Sequence, residues 1–336
     1  MMQDAMLAAD ESRDRRQTRR AAAVVLAIAL VVALALLLLR GCGAPAAITV
    51  VAAGDMSCDA TDPAQADPAL GRATDACQGQ PVSDVAVALQ PDYLLGLGDY
   101  QYEIPSSAAY REIYGPSWGR LREVTIPAIG NQEYKVHEAN TFFDYFGDRA
   151  GDRRGYWSTD VGAWHVVLLN SNCTTVSGGC AAGSPQQLWL EQDLADNSAR
   201  CTVALMHHPR WSNGIAGPDV RSDDLVATLT GHRVELLLSG HEADYERFAP
   251  MDASGQADPA GITQVVVGAG GQSHYDPAAG DAPWRTKDTQ LPSEFFDGDH
   301  HGFLELTLRT TGWSWRYHAV TGSTDSVVDQ GSAVCG

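Results

Sequence analysis

Five short apolar runs follow one another along the chain, and each stops at a polar group able to bind a metal. They are ITVVAAGD, ending at Asp55; YLLGLGDYQY, carrying Asp99 and Tyr102; VTIPAIGNQE, carrying Asn131; VALMHH, ending at His207 and His208; and VELLLSGH, ending at His241. Short β-branched runs that stop at Gly or a turn read as buried strands. Helical patterns lie between them: SDVAVALQ (Ser83–Gln90), PQQLWLEQDLAD (Pro185–Asp196) and SDDLVATLTGH (Ser222–His232). Ser83 and Ser222 are expected as caps, and Pro185 as the opening residue of its helix. Leu188, Leu190 and Leu194 supply that helix with an apolar stripe. Alternating strands and helices imply an α/β fold, in which groups at the carboxyl ends of neighbouring strands converge on one crevice. Two carboxylates, a phenol, an amide and several imidazoles there make a hard-to-borderline metal site, suited to an anionic, phosphorylated substrate.

The second half changes character. ITQVVVGAGG, HGFLELTLR and WSWRYHAV follow without helices between them, which reads as mixed or antiparallel sheet. The stretch from Gln272 to His300 lacks periodicity and is rich in Asp, Pro and Gly, as expected of a long loop over one face. No internal repeat or long linker divides residues 47–336, so one domain is expected.

Charge and cysteines bound the setting. Beyond residue 40 the chain holds 17 basic and 38 acidic residues, a net of −21. That excludes nucleic acid as an expected partner, since phosphate-backbone binding needs basic patches. Residues 1–20 form a basic cytoplasmic segment with Arg13, Arg15, Arg16, Arg19 and Arg20, followed within 21–40 by an uncharged run from Ala21 to Leu39. Nineteen helical residues reach roughly 28 Å, the thickness of a bilayer core. An uncleaved anchor with the catalytic bulk outside is the first expectation. A cleaved signal peptide ending near Ala44-Pro45-Ala46 and a lipoprotein site at Cys42 stay open. Export agrees with seven cysteines, for which we expect the disulfides Cys58–Cys77, Cys173–Cys180 and Cys201–Cys335, with Cys42 left over. Spacing by itself allows other connectivities.

With these motifs in hand, the chain from about Ala47 onward resembles the calcineurin-like metallophosphoesterases, and within them secreted bacterial relatives of the purple acid phosphatases. Further cues are GDYQYE, the SNC…GGC loop, GSPQQLWL, MHHPRWSNG, HEADYERFAP and VVGAGGQSHY. The resemblance implies a four-layer α/β/β/α sandwich of two mixed β-sheets. It also implies a phosphoester hydrolase holding two divalent or trivalent metal ions, Fe with Zn or Mn. Asp99 would bridge a first site, with Asp55 and Tyr102, and a second, with Asn131, His207 and His241. His208 would hydrogen-bond the phosphoryl group of a small phosphorylated substrate.

Two departures qualify that implication. The family's GNH[DE] motif is here Gly130-Asn131-Gln132-Glu133, so Gln132 occupies the place of a histidine that binds phosphate and protonates the leaving group. An amide can donate a hydrogen bond but cannot act as a titrating acid. The family's GHxH is Gly240-His241-Glu242-Ala243, which removes one ligand from the first site. Water, or one of Glu242, Asp244, His137, His300 and His301, is expected to fill that gap, or only one metal binds. The competing expectation is a degenerate surface protein that binds a phosphorylated ligand or a protein partner without turnover. Arg153, Arg154 and Arg247 are expected in ion pairs, and Trp211 as a pocket wall or a loop aromatic.

Overall fold

A computed structural model of the chain describes residues 47–74, 76–274 and 291–336. The basic segment 1–20, the apolar segment 21–40 and Cys42 lie outside the described residues. Among the described residues no helix is long and apolar enough to cross a membrane.

Two mixed sheets face each other. In the first, β1 (Ile48–Ala53), β2 (Tyr93–Gly96) and β3 (Thr125–Pro127) run parallel. The antiparallel strands β11 (His301–Arg309), β12 (Gly312–Thr321) and β13 (Thr324–Val334) extend it from the β1 edge. In the second, β5 (Trp164–Leu169), β6 (Cys201–Met206), β7 (Leu236–Ser239) and β9 (Thr263–Val267) run parallel. Antiparallel β4 (Trp157–Val161) closes one edge, and β8 (Tyr245–Phe248) with β10 (Ser293–Asp297) the other.

The two-residue period of a strand explains the layering. Val50 and Ala52 of β1 point between the sheets, where they meet Val203 and Leu205 of β6 and Leu236 and Leu238 of β7. Their neighbours Val51 and Ala53 face outward onto Val82 and Ala86 of the helix Gly79–Ala88. On the far side, Ala204, Met206 and Leu237 pack on Leu190 of Pro185–Asp196 and on Leu225, Val226 and Leu229 of Asp223–Gly231. Helix, sheet, sheet and helix therefore stack as the expected four layers, with apolar surface buried on both faces of each sheet.

Several local expectations need correction. The first helix starts one turn early, at Gly79, because Pro81 is tolerated in a first turn where backbone N–H groups lack partners anyway. Ser83 is thus no cap; its hydroxyl donates to the Gln80 carbonyl within the helix. Ser222 makes no side-chain cap either, and its hydroxyl donates to the Asp219 carbonyl. Ser184, one residue before Pro185, caps the helix Pro185–Asp196 by accepting from Gln187 N. Leu188 is 58% exposed on that helix, so the stripe rests on Leu190 and partly buried Leu194. The expected loop between Gln272 and His300 contains strand β10, and β13 is an additional strand whose alternating polar residues hid it. Residues 275–290 of that loop lie outside the described residues.

All three expected disulfides are present: Cys58–Cys77, Cys173–Cys180 and Cys201–Cys335. The last fastens the first residue of β6 to the residue after β13, and so ties the two sheets together.

Candidate metal centre

Asp55, Asp99, Asn131, His207 and His241 all sit just beyond the carboxyl ends of parallel strands, namely β1, β2, β3, β6 and β7. The two sheets are joined here by hydrogen bonds between strand ends. His207 Nδ1 lies 2.8 Å from the Leu97 carbonyl, and His241 N–H donates to Asp55 Oδ2 at 2.7 Å. Asp55, Asp99 and His241 have φ of 55°, 52° and 73°, in the left-handed region. Non-glycine residues there cost of order 1–3 kcal/mol each, and such strain gathers at functional sites. Gly98, at φ 90°, is required by proximity as well: a Cβ there would stand 2.6 Å from His207 Nδ1.

One group of candidate ligands centres on His207. A carbonyl can only accept, so Nδ1 carries a proton for Leu97 and Nε2 faces the centre. Around Nε2 stand Asn131 Oδ1 at 3.0 Å, Asp99 Oδ2 at 3.2 Å and His241 Nδ1 at 3.3 Å. Oxygen lone pairs and ring nitrogens thus converge from three sides on one buried point. A proton on His207 or a cation satisfies such a set, and the mix of one carboxylate, one amide oxygen and two imidazoles fits Zn, Mn or Fe.

The other group centres on Tyr102, whose phenol lies 2.5 Å from Asp55 Oδ1 and 2.8 Å from Asp99 Oδ2. One hydroxyl proton cannot serve two carboxylates, so this cluster also favours a cation. It offers three oxygens. Ala243, where the family places a histidine, is buried, and its carbonyl faces His274 Nδ1 at 2.7 Å. Among the described residues, none of the side chains expected as substitutes comes within ligand spacing of Asp55 and Asp99 together. Glu242 is turned to Gly217 N and the Ser212 hydroxyl, and His137 is solvent-exposed beside Glu138. His300 pairs with Asp297. Asp244 is fully buried, and His301 packs its ring on His274 at 3.9 Å. Among the described residues, the His, Asp and Glu groups spaced to share an ion are Asp55 with Asp99 and His207, and His207 with His208 and His241. Asp62 lies within such spacing of Cys58 and Cys77, whose sulfurs are joined in a disulfide.

The ionisation of these groups records the demand for positive charge. Burial raises the Asp55 carboxyl to about 8 against the pull of His207. Burial would raise Asp99 too, but His207 beside it and the Gln132 N–H hold it near about 2. Burial opposes charge on His207, yet Asp99 and Asp55 lift it to about 9. Burial and the charge of His207 press His241 down to about 4, and the same causes take His208 to about 2. Burial and the two carboxylates push the Tyr102 phenol well above its ordinary value. In the metal-free protein burial shifts Asp55, and the neighbouring carboxylates shift His207, toward their protonated forms, which is the positive charge that cations would supply.

Glu133, for which no role was expected, shapes the centre. Its carboxylate accepts from the N–H groups of Asp99 at 3.0 Å, Tyr100 at 3.0 Å and Gly130 at 2.8 Å, stapling the β2 and β3 loops together. An acid two residues after a candidate ligand Asn was the available signal. Gln132 donates its backbone N–H to Asp99 Oδ1 at 2.8 Å, while its side-chain oxygen is buried with no hydrogen-bond partner among the described residues. His208 packs its ring on that of His241, with centroids 4.4 Å apart. Trp211 is buried in the apolar cluster that includes Ala204 and Met206 of β6. Arg153, Arg154 and Arg247 are ion-paired as expected, with Asp144, Asp152 and Asp329.

A strand-end centre between two mixed sheets is the arrangement of a metallo-dependent phosphatase fold. Residues 49–245 match the calcineurin-like phosphoesterase family, and the chain belongs to it. Purple acid phosphatase 21 of Arabidopsis thaliana is 28% identical over 256 residues, covering 68% of this chain and 55% of its own length. Purple acid phosphatase 22 of the same plant is 26% identical over 246 residues, covering 65% and 54%. The chain thus spans about half the length of the curated relatives it matches. Among solved structures, purple acid phosphatase PPD1 from yellow lupin seeds shares the fold with a TM-score of 0.64 at 19% identity, covering 85% of this chain and 53% of that one. GAP50 of Plasmodium does so with a TM-score of 0.58 at 13% identity, covering 86% and 89%.

Proposed function

We propose that the chain is a metal-dependent phosphoester hydrolase acting in an oxidising, extracytoplasmic compartment. The observation that carries this reading is the convergence on His207 Nε2 of Asn131 Oδ1, Asp99 Oδ2 and His241 Nδ1, all between 3.0 and 3.3 Å. Asp99, Asn131, His207 and His241 would hold one metal, and Asp55, Asp99 and Tyr102 the other. The metals, when bound, neutralise the phosphoryl charge and acidify the water that attacks it. Three disulfides support the compartment, since such bonds persist outside the reducing cytosol.

The chain's own residues set the rest of the chemistry. Asp99, held ionised at about 2, keeps its charge at every physiological pH. His208, pressed down to about 2, stays neutral and serves the phosphoryl oxygens as a hydrogen-bond donor. Gln132 can steady the substrate but cannot protonate a departing alkoxide. Leaving groups that depart as stable anions are therefore favoured, and aryl phosphates are cleaved faster than alkyl phosphates. Loss of general-acid help costs on the order of 100- to 10,000-fold, so alkyl ester turnover is slow.

A second reading draws on Ala243 and Gln132 together: a phosphatase-fold protein that retains a ligand or partner without turnover. GAP50, a solved structure of similar fold, is the anchor in the inner membrane complex of Plasmodium. Elemental analysis of the purified chain loaded with Fe, Zn or Mn, paired with aryl phosphate turnover, separates the two. Metal uptake with turnover upholds the hydrolase; metal uptake without turnover under any of the three metals upholds the binder.

A further inference from the structure

Two adjacent histidines, His207 and His208, reach the centre from the end of β6, and their ring nitrogens lie with that of His241 within 4.8 Å of one another. Sequence and spacing alone would allow all three to ligate one ion. Their hydrogen-bond partners sort them differently. His207 Nδ1 meets a backbone carbonyl, an acceptor that demands the proton on Nδ1 and leaves Nε2 for coordination. His208 Nδ1 meets the hydroxyl of Ser171 at 2.9 Å.

That hydroxyl has its own constraint. Ser171 Oγ already accepts the backbone N–H of His208 at 2.9 Å, and Ser171 is fully buried. If Nδ1 also donated to it, the hydroxyl proton would need another acceptor, and the described residues provide no other hydrogen bond to Ser171 Oγ. Leaving a buried donor unsatisfied costs about 1–3 kcal/mol. The arrangement that satisfies every group has the hydroxyl donate to Nδ1, which places the ring proton on Nε2.

We propose that Ser171 is a positioning residue that holds His208 in the Nε2–H tautomer. The second histidine of the pair is thereby a neutral hydrogen-bond donor to a phosphoryl oxygen and is kept out of the metal's ligand set. A protonated nitrogen has no lone pair for a metal, so the same serine both creates the donor and removes a competing ligand. Ser171 stands in the loop after β5, one residue from Asn172, whose side-chain amide donates to the Gly130 carbonyl at 3.3 Å beside Asn131. The loop is thus registered to the centre on both sides.

The role in turnover rests on the phosphoesterase reading, whereas the tautomer does not, and the test keeps them apart. Full-length metal-free protein labelled with 15N in its histidine rings is measured by NMR, with His208→Gln to assign the resonances. A pyridine-type Nδ1 and a protonated Nε2 are expected for His208, and the reverse pattern overturns the proposal. Kinetics then test the consequence. Ser171→Ala raises KM for an aryl phosphate, and the inhibition constant of inorganic phosphate, by about 10-fold or more with a smaller change in kcat. Ser171→Thr, which keeps the hydroxyl, restores most of the loss. Unchanged phosphate affinity in a folded Ser171→Ala variant also overturns the assignment. The expected tautomer in a wild type without turnover defeats the phosphatase reading and leaves the placement of the His208 proton standing.

Discussion

The phenol of Tyr102 donates to Asp55 Oδ1 across 2.5 Å, and Asp99 Oδ2 lies 2.8 Å from the same phenol oxygen. A tyrosine three residues after one candidate ligand therefore reaches back to another that is 47 positions away. Burial and both carboxylates keep the phenol protonated in the metal-free chain. A trivalent iron would displace that proton, and the resulting phenolate absorbs visible light. Iron-loaded wild type is expected to be coloured and Tyr102→Phe colourless, as read by absorption spectroscopy. Colour retained in Tyr102→Phe would remove Tyr102 from the ligand set.

His241 has its imidazole 3.3 Å from His207 Nε2 and its backbone N–H on Asp55. His241→Ala keeps the second contact and loses the first. Bound metal is expected to fall by about one ion per chain, and aryl phosphate turnover by at least about 100-fold. Elemental analysis and initial rates on the same samples check both numbers.

Glu133 satisfies three backbone donors from within a fully buried site. Glu133→Ala leaves them unpaired, at about 1–3 kcal/mol for each buried group. Denaturant unfolding should show a loss of at least about 3 kcal/mol. Metal affinity should fall with it, because Asp99 and Gly130 are the groups being held.

His165 lies between Asp193 and Asp160, at 2.8 and 2.9 Å. Burial opposes its charged form, but the two carboxylates outweigh burial and raise its pKa above the ordinary value. A raised folded-state pKa stabilises the native protein fully below the unfolded value, and that stabilisation is lost as pH rises through the folded one. The melting-temperature gap between wild type and His165→Gln is therefore expected to be wider near about pH 5 than near about pH 9. A gap independent of pH would mean the imidazole acts here as a neutral spacer.

The Cys201–Cys335 bond closes a separation of 134 residues between strand β6 and the chain's last strand. Constraining so long a loop in the unfolded chain is worth about 4–5 kcal/mol by chain entropy. Cys201→Ser with Cys335→Ser should lower unfolding free energy by about 2–5 kcal/mol while the metal centre, at the opposite ends of the strands, retains its ligands.

The runs from ITVVAAGD to VELLLSGH determined by themselves that strands end in Asp55, Asp99, Asn131, His207 and His241, because hydrophobic period and strand-ending glycines are local properties. The helix Pro185–Asp196 was legible for the same reason, through its opening proline. Ser83 misled because a cap is recognised only once the helix start is known, and Pro81 had moved that start back a turn. Strand β13 escaped notice because an edge strand with one face in water carries few apolar residues. The pairing of sheets was a tertiary decision. No local pattern tells that Leu97 offers its carbonyl to His207, or that Glu133 staples two loops, since each bond joins segments far apart in sequence. The tautomers of His207 and His208 belong to the same category. Two identical side chains, adjacent in the chain, receive different chemistry because one meets a carbonyl and the other a hydroxyl, and only the packing of the two sheets brings those partners within reach.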